Sequence, residues 1–427
     1  MTILLSLVFL LTLILGFPIA FCLGITSLAA LIWMSDVPLV IMAQRMFTGI
    51  DSFPLMAVPF FVLAGELMNR GGTTRRLIDF ANVLVGRIPG GLAHTNITAS
   101  MFFGGISGSA VADAAAMGTI LVPGMVRKGF PPGFSAAVTA ASSTMGPIIP
   151  PSILMVLMGV TTGLSIGGLF AAGIIPGLLL GLSMMALSLF MAVRYKYPRE
   201  VFPFTGRIFW HSLAGALPAL IAPLIILGGI LGGVFTPTEA AAVAVFYAFF
   251  LGICIYRELD LRQLGDIFIH SGVTTAVLLL IIGMANIFSW VLSSEQIPTR
   301  IAQGMLAITE NPYLILLFIN IFLLFIGTFL EGGAAIIILA PTLLSVANTV
   351  GIEPLHFGLV MVLNIAVGLL TPPLGVCLFV VSGVTGLQLS TIIRSVLPFL
   401  ALELSVLLLA TYFPGLILFI PRMLGYM

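Results

Sequence analysis

Three hydroxyl side chains in a row, Ser142-Ser143-Thr144, stand one residue before Gly146-Pro147-Ile148-Ile149-Pro150-Pro151-Ser152. No regular helix passes through that run, because each Pro lacks a backbone N–H and its ring collides with the preceding turn. A break of this kind frees backbone carbonyls beside the hydroxyls, a set of hard oxygen ligands suited to Na⁺. A second stretch, Gly368-Leu369-Leu370-Thr371-Pro372-Pro373-Leu374, has the same character, with Asn364 upstream. Two small, polar tips accompany these breaks: Gly104-Gly105-Ile106-Ser107-Gly108-Ser109 in the first half, and Gly327-Thr328 followed by Glu331-Gly332-Gly333 in the second. The candidate ion ligands are therefore Ser107, Gly108, Ser109, Ser142, Ser143, Thr144, Gly146, Gly327, Thr328, Gly332, Asn364, Gly368 and Thr371. Pro150, Pro151, Pro372 and Pro373 line the same breaks. The same hydroxyls can also bond back to the preceding helical turn, and both readings stand at this level. Asp113 and Glu331 are candidate site-lining carboxylates, since an ionisable group at membrane depth is a functional hypothesis by default. Their alternative is a capping or hinge role at the start of a helix, where the dipole favours an acid.

The elements that would position these residues come in duplicate. The two Gly-x-x-x-Pro-Pro stretches lie 222 positions apart, and each sits in an apolar run long enough to span a bilayer. Asp113 is followed ten residues later by Pro123, and Glu331 ten residues later by Pro341. That second pairing is offset by 218, which reads as a small insertion between the halves. Two Gly/Pro-interrupted segments in corresponding places are the sequence mark of a secondary transporter's binding site.

Charged residues make up 7% of the chain, apolar ones 60%, and mean hydropathy is +1.24. A soluble fold of this size cannot hide so much apolar surface, so the chain is read as an all-α polytopic membrane protein. Cys22, Cys254 and Cys377 show no metal or redox spacing and read as small core residues. The four His have no metal-ligand spacing, there is no P-loop, and no basic patch suits nucleic acid. No cofactor is expected beyond Na⁺ as a coupling ion. The apolar N-terminal run, residues 3–34, is too long for a signal peptide and is expected as a retained membrane segment.

Residues 1–87 read as N-terminal scaffold helices. Residues 88–193 hold a first transport repeat, with a re-entrant hairpin at 88–126 and a broken helix at 133–160. A polar divide with Lys196, Arg199 and Glu200 opens 194–311, a linker and scaffold region in which 257–270 suits a short interfacial amphipathic helix. A second repeat spans 312–393, with a hairpin at 312–346 and a broken helix at 356–384, and 394–427 is a C-terminal helix. Arg70, Arg75, Arg76, Arg87, Arg127 and Lys128 flank the first hairpin, whereas no Lys or Arg occurs between Arg300 and Arg394. Positive charge marks the cytoplasmic side, so the hairpins enter from opposite sides, as an inverted repeat requires. Thr236-Pro237-Thr238-Glu239 is a capping box, and Glu66 and Arg70 are spaced to pair. Glu403 stands alone in the last apolar run with no role legible.

The chain resembles the large membrane subunit of TRAP (tripartite ATP-independent periplasmic) transporters over nearly its whole length. The resemblance rests on Gly16-Phe17-Pro18-Ile19-Ala20, Phe60-Phe61-Val62-Leu63-Ala64-Gly65, Gly105-Ile106-Ser107-Gly108-Ser109-Ala110 with Asp113, the Gly146–Ser152 run, Phe235-Thr236-Pro237-Thr238-Glu239-Ala240 and Thr371-Pro372-Pro373. It implies an elevator-type carrier in the bacterial inner membrane. It further implies Na⁺ coupling, a small four-helix membrane subunit, and a periplasmic binding protein delivering an organic acid such as sialic acid or a C4-dicarboxylate. The hairpins and broken helices are then expected to move as one body, with the first and last apolar runs and the helix from Thr236 static. The alternatives are a stand-alone Na⁺/carboxylate or anion carrier and, more remotely, an intramembrane enzyme using Asp113 and Glu331.

Overall fold

A computed structural model of the chain describes residues 2–34, 37–199, 205–297, 299–300, 303–304, 309 and 311–426; Glu200, in the polar divide, lies outside them. The described residues form helices and connections without a strand. This is the outcome lipid imposes, because a helix satisfies its own backbone where water is absent. Among the described residues seven helices are long and apolar enough to cross a membrane, or eight if Val40–Ile50 and Phe53–Arg70, bent by 64°, count as one span.

The 222-residue offset is carried by whole elements. The first hairpin is built from Gly91–Ser107 and Ala110–Arg127, and the second from Pro312–Gly327 and Gly332–Thr349. The first broken helix is Pro132–Ser143 followed by Ile153–Thr162, and the second is Pro354–Gly368 followed by Val376–Thr385. Each repeat closes with a long helix, Ile166–Tyr195 or Leu389–Tyr412. The packing repeats with the same exchange. Val376–Thr385 of the second broken helix lies on Ala110–Arg127 of the first hairpin, and Ile153–Thr162 lies on Gly332–Thr349 of the second. The two halves thus interlock in one all-helical body with an internal pseudo-two-fold.

Among the described residues five apolar crossings separate the hairpins: the first broken helix, Ile166–Tyr195, Gly206–Leu231, Pro237–Ile255 and Leu261–Ser294. An odd number puts the hairpin mouths on opposite sides. Arg127 and Asn311, both exposed, report on this. In a protein freed of Cys22, Cys254 and Cys377, Arg127→Cys should react with an impermeant thiol reagent from the cytoplasm only, and Asn311→Cys from the periplasm only. Labelling of both from one side would show that the repeat is not inverted.

Three sequence expectations are corrected. The 3–34 run is two helices, Thr2–Ile14 and Ile19–Met34, because Gly16 turns with φ +79 and Pro18 cannot continue the first. Residues 257–270 form no separate interfacial helix. The chain turns at Arg257 and then runs into a 34-residue helix, Leu261–Ser294, with Arg76 tying the turn through Glu258 at 2.8 Å. The 218 offset is no insertion. Ala110–Arg127 and Gly332–Thr349 are each 18 residues long and start 222 apart, so Pro123 and Pro341 differ by one helical turn. The last long helix, Leu389–Tyr412, packs on both broken helices. The capping box at Thr236 and the Glu66–Arg70 pair, at 3.7 Å, are both present.

Candidate functional site

Each hairpin tip is pressed onto the break of its own half. Gly108 ends the first arm with φ +60 and its N–H bonds to the Gly104 carbonyl at 2.9 Å, a left-handed cap for which Gly is suited. A Cβ on Gly108 would lie 3.0 Å from both the Ile153 nitrogen and the Pro151 oxygen. Gly104 meets Gly146 backbone to backbone, and Gly327 meets Gly368 in the same way, with added Cβ atoms at 3.0 and 3.2 Å from the facing Cα. Glycine is used here for close approach.

Inside the first break the chain tightens into three-residue turns: Thr144, Met145 and Gly146 donate to the carbonyls of Ala141, Ser142 and Ser143. In each break the carbonyl after the glycine accepts a hydrogen bond from the far side of the break, by a different donor in each half. The Pro147 carbonyl accepts from the Ser152 hydroxyl at 2.6 Å, and its counterpart Leu369 accepts from the Cys377 nitrogen at 3.0 Å. Both Pro-Pro bonds, Pro150-Pro151 and Pro372-Pro373, are cis.

The hydroxyls do bond back to their helix. Ser143 and Thr144 donate to Ala140 and Ala141 carbonyls at 2.7 Å, and Thr371 donates to Val367 at 2.8 Å. This does not spend them as ligands, because a hydroxyl that donates its one proton retains acceptor lone pairs. Ser142 sits between Asn96 and Ser100 at 3.1 Å each, and Asn96 donates to Thr139 at 2.6 Å. Asn364, the 222-offset equivalent of Ser142, donates to the carbonyl and side chain of Asn320 at 3.0 and 2.9 Å, and Asn320 donates to Thr411 at 2.9 Å. In both halves, then, the first hairpin arm supplies a polar side chain to the helix before the break.

The two acids are not equivalents. Glu331 corresponds to Ser109. Both are N-caps, Glu331 accepting from the Ala334 nitrogen at 3.1 Å and Ser109 from the Ala112 nitrogen at 3.4 Å. Glu331 is exposed, so its geometry is that of a cap, and a catalytic pairing with Asp113 has no basis in the fold. Asp113 lies one turn further along the first hairpin and is completely buried. Ser100 is the polar side chain beside it, yet neither carboxyl oxygen reaches hydrogen-bond geometry.

The halves differ in access. Ser107, Gly108, residues 142–148 and 150–152 are buried, whereas Phe329, Glu331, Pro373 and Leu374 are exposed and Thr371 and Pro372 partly so. Thr328 is buried and donates to the Phe325 carbonyl at 2.8 Å, and Gly332 packs against Leu154. Sequence reasoning missed Asn96, Ser100, Asn320, Thr411, Glu403 and Gly65, whose added Cβ would lie 3.5 Å from the Ser107 Cα. A signal existed for the first three: Asn96 and Ser100 share a helix face at i, i+4, and Asn320 is the lone amide in a strongly apolar helix.

The sequence matches, over residues 6–416, the family described as "Tripartite ATP-independent periplasmic transporter, DctM component". It is 44% identical to the sialic acid TRAP transporter large permease protein SiaM of Vibrio cholerae, covering 96% of both chains. It is 43% identical to the C4-dicarboxylate TRAP transporter large permease protein DctM of Pseudomonas aeruginosa, covering 94% of both. It is 45% identical to the isethionate TRAP transporter permease protein DctMQ of Oleidesulfovibrio alaskensis over 96% of this chain and 65% of that one. In fold it is similar to the YdaH transporter of Alcanivorax borkumensis, with TM-score 0.60 at 17% identity over 87% of this chain and 89% of that one. It is likewise similar to MtrF of Neisseria gonorrhoeae, with TM-score 0.62 at 14% identity over 88% and 84%.

Proposed function

The chain belongs to the tripartite ATP-independent periplasmic transporter family as its DctM component, the large permease subunit, and from that premise we propose that it carries an organic acid across the bacterial inner membrane coupled to Na⁺. It is a transporter subunit and not an enzyme. The substrate class follows from the relatives: isethionate, sialic acid and C4-dicarboxylates all carry an anionic group. A small four-helix membrane subunit and a periplasmic binding protein that delivers the acid complete the system in this reading.

The observation that carries it is the doubling of one arrangement. In each half a glycine-rich hairpin tip closes on a helix break whose hydroxyls keep free lone pairs: Ser107 with Ser142, Ser143 and Thr144, and Thr328 with Thr371. A Na⁺ ion at each break would take over the acceptor groups that the break leaves without helical partners. The organic acid would sit at the more exposed second tip and break, near Thr371 and Pro372.

The cycle in this reading moves the two hairpins, the two broken helices and the long helices packed on them as one body. Local opening at one tip would strip its buried polar groups of their partners, whereas rigid movement keeps them satisfied. The helices Ala57–Arg70 and Pro237–Phe250, packed on one another and tied by Thr238 donating to the Phe53 carbonyl at 3.0 Å, form the static frame.

Ser107→Ala, Ser143→Ala and Thr371→Ala, each in the reconstituted complex, should raise the Na⁺ concentration for half-maximal uptake several-fold while expression and the apparent affinity for the acid change little. Unaltered Na⁺ dependence in all three would remove the ion sites from these breaks.

A further inference from the structure

The last long helix brings an acid to the first break that the proposed reading leaves unused. Glu403, on Leu389–Tyr412, is 1% exposed. One carboxyl oxygen lies 3.0 Å from the Thr144 hydroxyl, whose single proton is shared between it and the Ala141 carbonyl at 2.7 Å, and the other has no hydrogen-bond partner among the described residues. The equivalent helix starts at Ile166 where this one starts at Leu389, so the counterpart of Glu403 is Leu180 and the acid has no equivalent at the second break. There the corresponding helix contact is neutral: Asn364, Asn320 and Thr411 form a chain of amides and a hydroxyl.

Little else charged faces Glu403. The Pro132–Ser143 helix against it carries no titratable residue. Val376–Thr385 contributes Cys377, whose thiol lies beside the Ser143 hydroxyl and within electrostatic reach of both Glu403 and Asp113. Pro354–Gly368 contributes His356, which is engaged two turns away with the Ala410 carbonyl at 3.0 Å. Arg194 and Arg394 sit at helix ends, and Arg422 on the following helix. No cation of the protein therefore pairs with this acid among the described residues.

Resting on the reading of the first break as an ion site, we propose that Glu403 is the fixed counter-charge of that site and the positioning residue for Thr144. A buried carboxylate without a partner is costly, and so is a dehydrated cation carried through hydrocarbon. Placed one hydroxyl apart, each offsets the other's cost. The hydrogen bond also orients the Thr144 oxygen, whose remaining lone pair can then meet the ion. The ion-loaded body is the state in which this charge is compensated. The second break, lacking an acid, holds its ion by neutral oxygens alone.

The test is Na⁺-dependent thermal stabilisation of the purified complex, with Na⁺ replaced by N-methyl-D-glucamine as baseline. Glu403→Gln keeps the shape and can donate to Thr144. It should leave the ion-free melting temperature unchanged or higher, and raise the Na⁺ midpoint about tenfold or more. Glu403→Asp, which keeps the charge, should recover part of that loss. Thr144→Val should weaken Na⁺ in the same direction without disturbing Glu403's charge. The proposal is overturned if Glu403→Gln lowers the ion-free melting temperature and leaves the Na⁺ midpoint where it was, the signature of a purely structural bond. A native complex that shows no Na⁺ response at all would instead overturn the ion reading beneath it, and the two failures are distinguishable.

Discussion

Oxidising a protein that carries Gly65→Cys and Ser107→Cys, with Cys22, Cys254 and Cys377 replaced by Ala, should drop uptake to background, and reduction should restore it. The geometry suits a disulfide. A Cβ built on Gly65 lies 4.0 Å from the Ser107 Cβ, inside the range such bonds adopt. Gly65 belongs to Ala57–Arg70 in the proposed static frame, and Ser107 to the tip of the first hairpin. If the body slides past the frame, this contact must be lost in each cycle, and a covalent bond there stops the movement. Na⁺-induced stabilisation should survive, because the ion sites lie within the body. The Ser107→Cys protein alone, measured reduced, controls for loss of that hydroxyl. A second pair separates sliding from a gate at one tip. Gly333 of the second hairpin touches Leu278 of Leu261–Ser294, an added Cβ lying 3.3 Å from its side chain. Cysteines there joined by a short bifunctional reagent should also stop uptake, whereas a gate confined to the first tip would run unhindered. Undiminished uptake with either link complete would refute the sliding body.

Gly368→Val should be nearly as damaging, without any cross-link. A Cβ at this position meets the Gly327 Cα at 2.8 Å and its carbonyl carbon at 3.0 Å. Both are backbone atoms, so no side chain can swing aside. The second tip would be forced off its break, and the ~1–3 kcal/mol typical of overpacking corresponds to roughly 5–150-fold in ion affinity if the ion requires the closed arrangement. Uptake should fall at least about tenfold. Gly383→Ala, in the same broken helix but with nothing within 4 Å of its Cβ, is the control. It should be neutral or stabilise slightly, since Ala is the better helix former. Equal uptake by both variants would show that the Gly327–Gly368 contact does not close the site.

Much of the architecture was legible before any coordinates. The duplicated Gly-x-x-x-Pro-Pro runs located both breaks because a glycine followed by paired prolines removes successive helical N–H groups, whereas the single prolines Pro123 and Pro341 are carried inside continuous helices. The uneven placement of Lys and Arg carries an expectation of sidedness, because it acts at the membrane surface independently of packing, and the labelling of Arg127→Cys and Asn311→Cys tests it. Pairings across the interior were misread for the opposite reason. Asp113 and Glu331 matched as letters, yet one is buried in the first turn of a helix arm and the other is an exposed N-cap equivalent to Ser109. A shift of one helical turn preserves the face a residue occupies, so composition alone does not separate true equivalents from near ones.

The sequence by itself determined an all-helical membrane protein, two inverted repeats, the places where helices must break, and the small and hydroxyl residues at those places, because each follows from local chemistry: hydropathy, missing N–H groups, side-chain size. Only the tertiary structure decided which groups meet. It put Glu403 3.0 Å from Thr144, 259 residues away in the chain, joined Asn364 to Asn320 and Thr411, and packed the last long helix onto both broken helices. An isolated polar residue in an apolar helix carries no mark of its partner. The partner is chosen by the requirement that a polar group buried away from water find another one, and that choice exists only once the helices are packed.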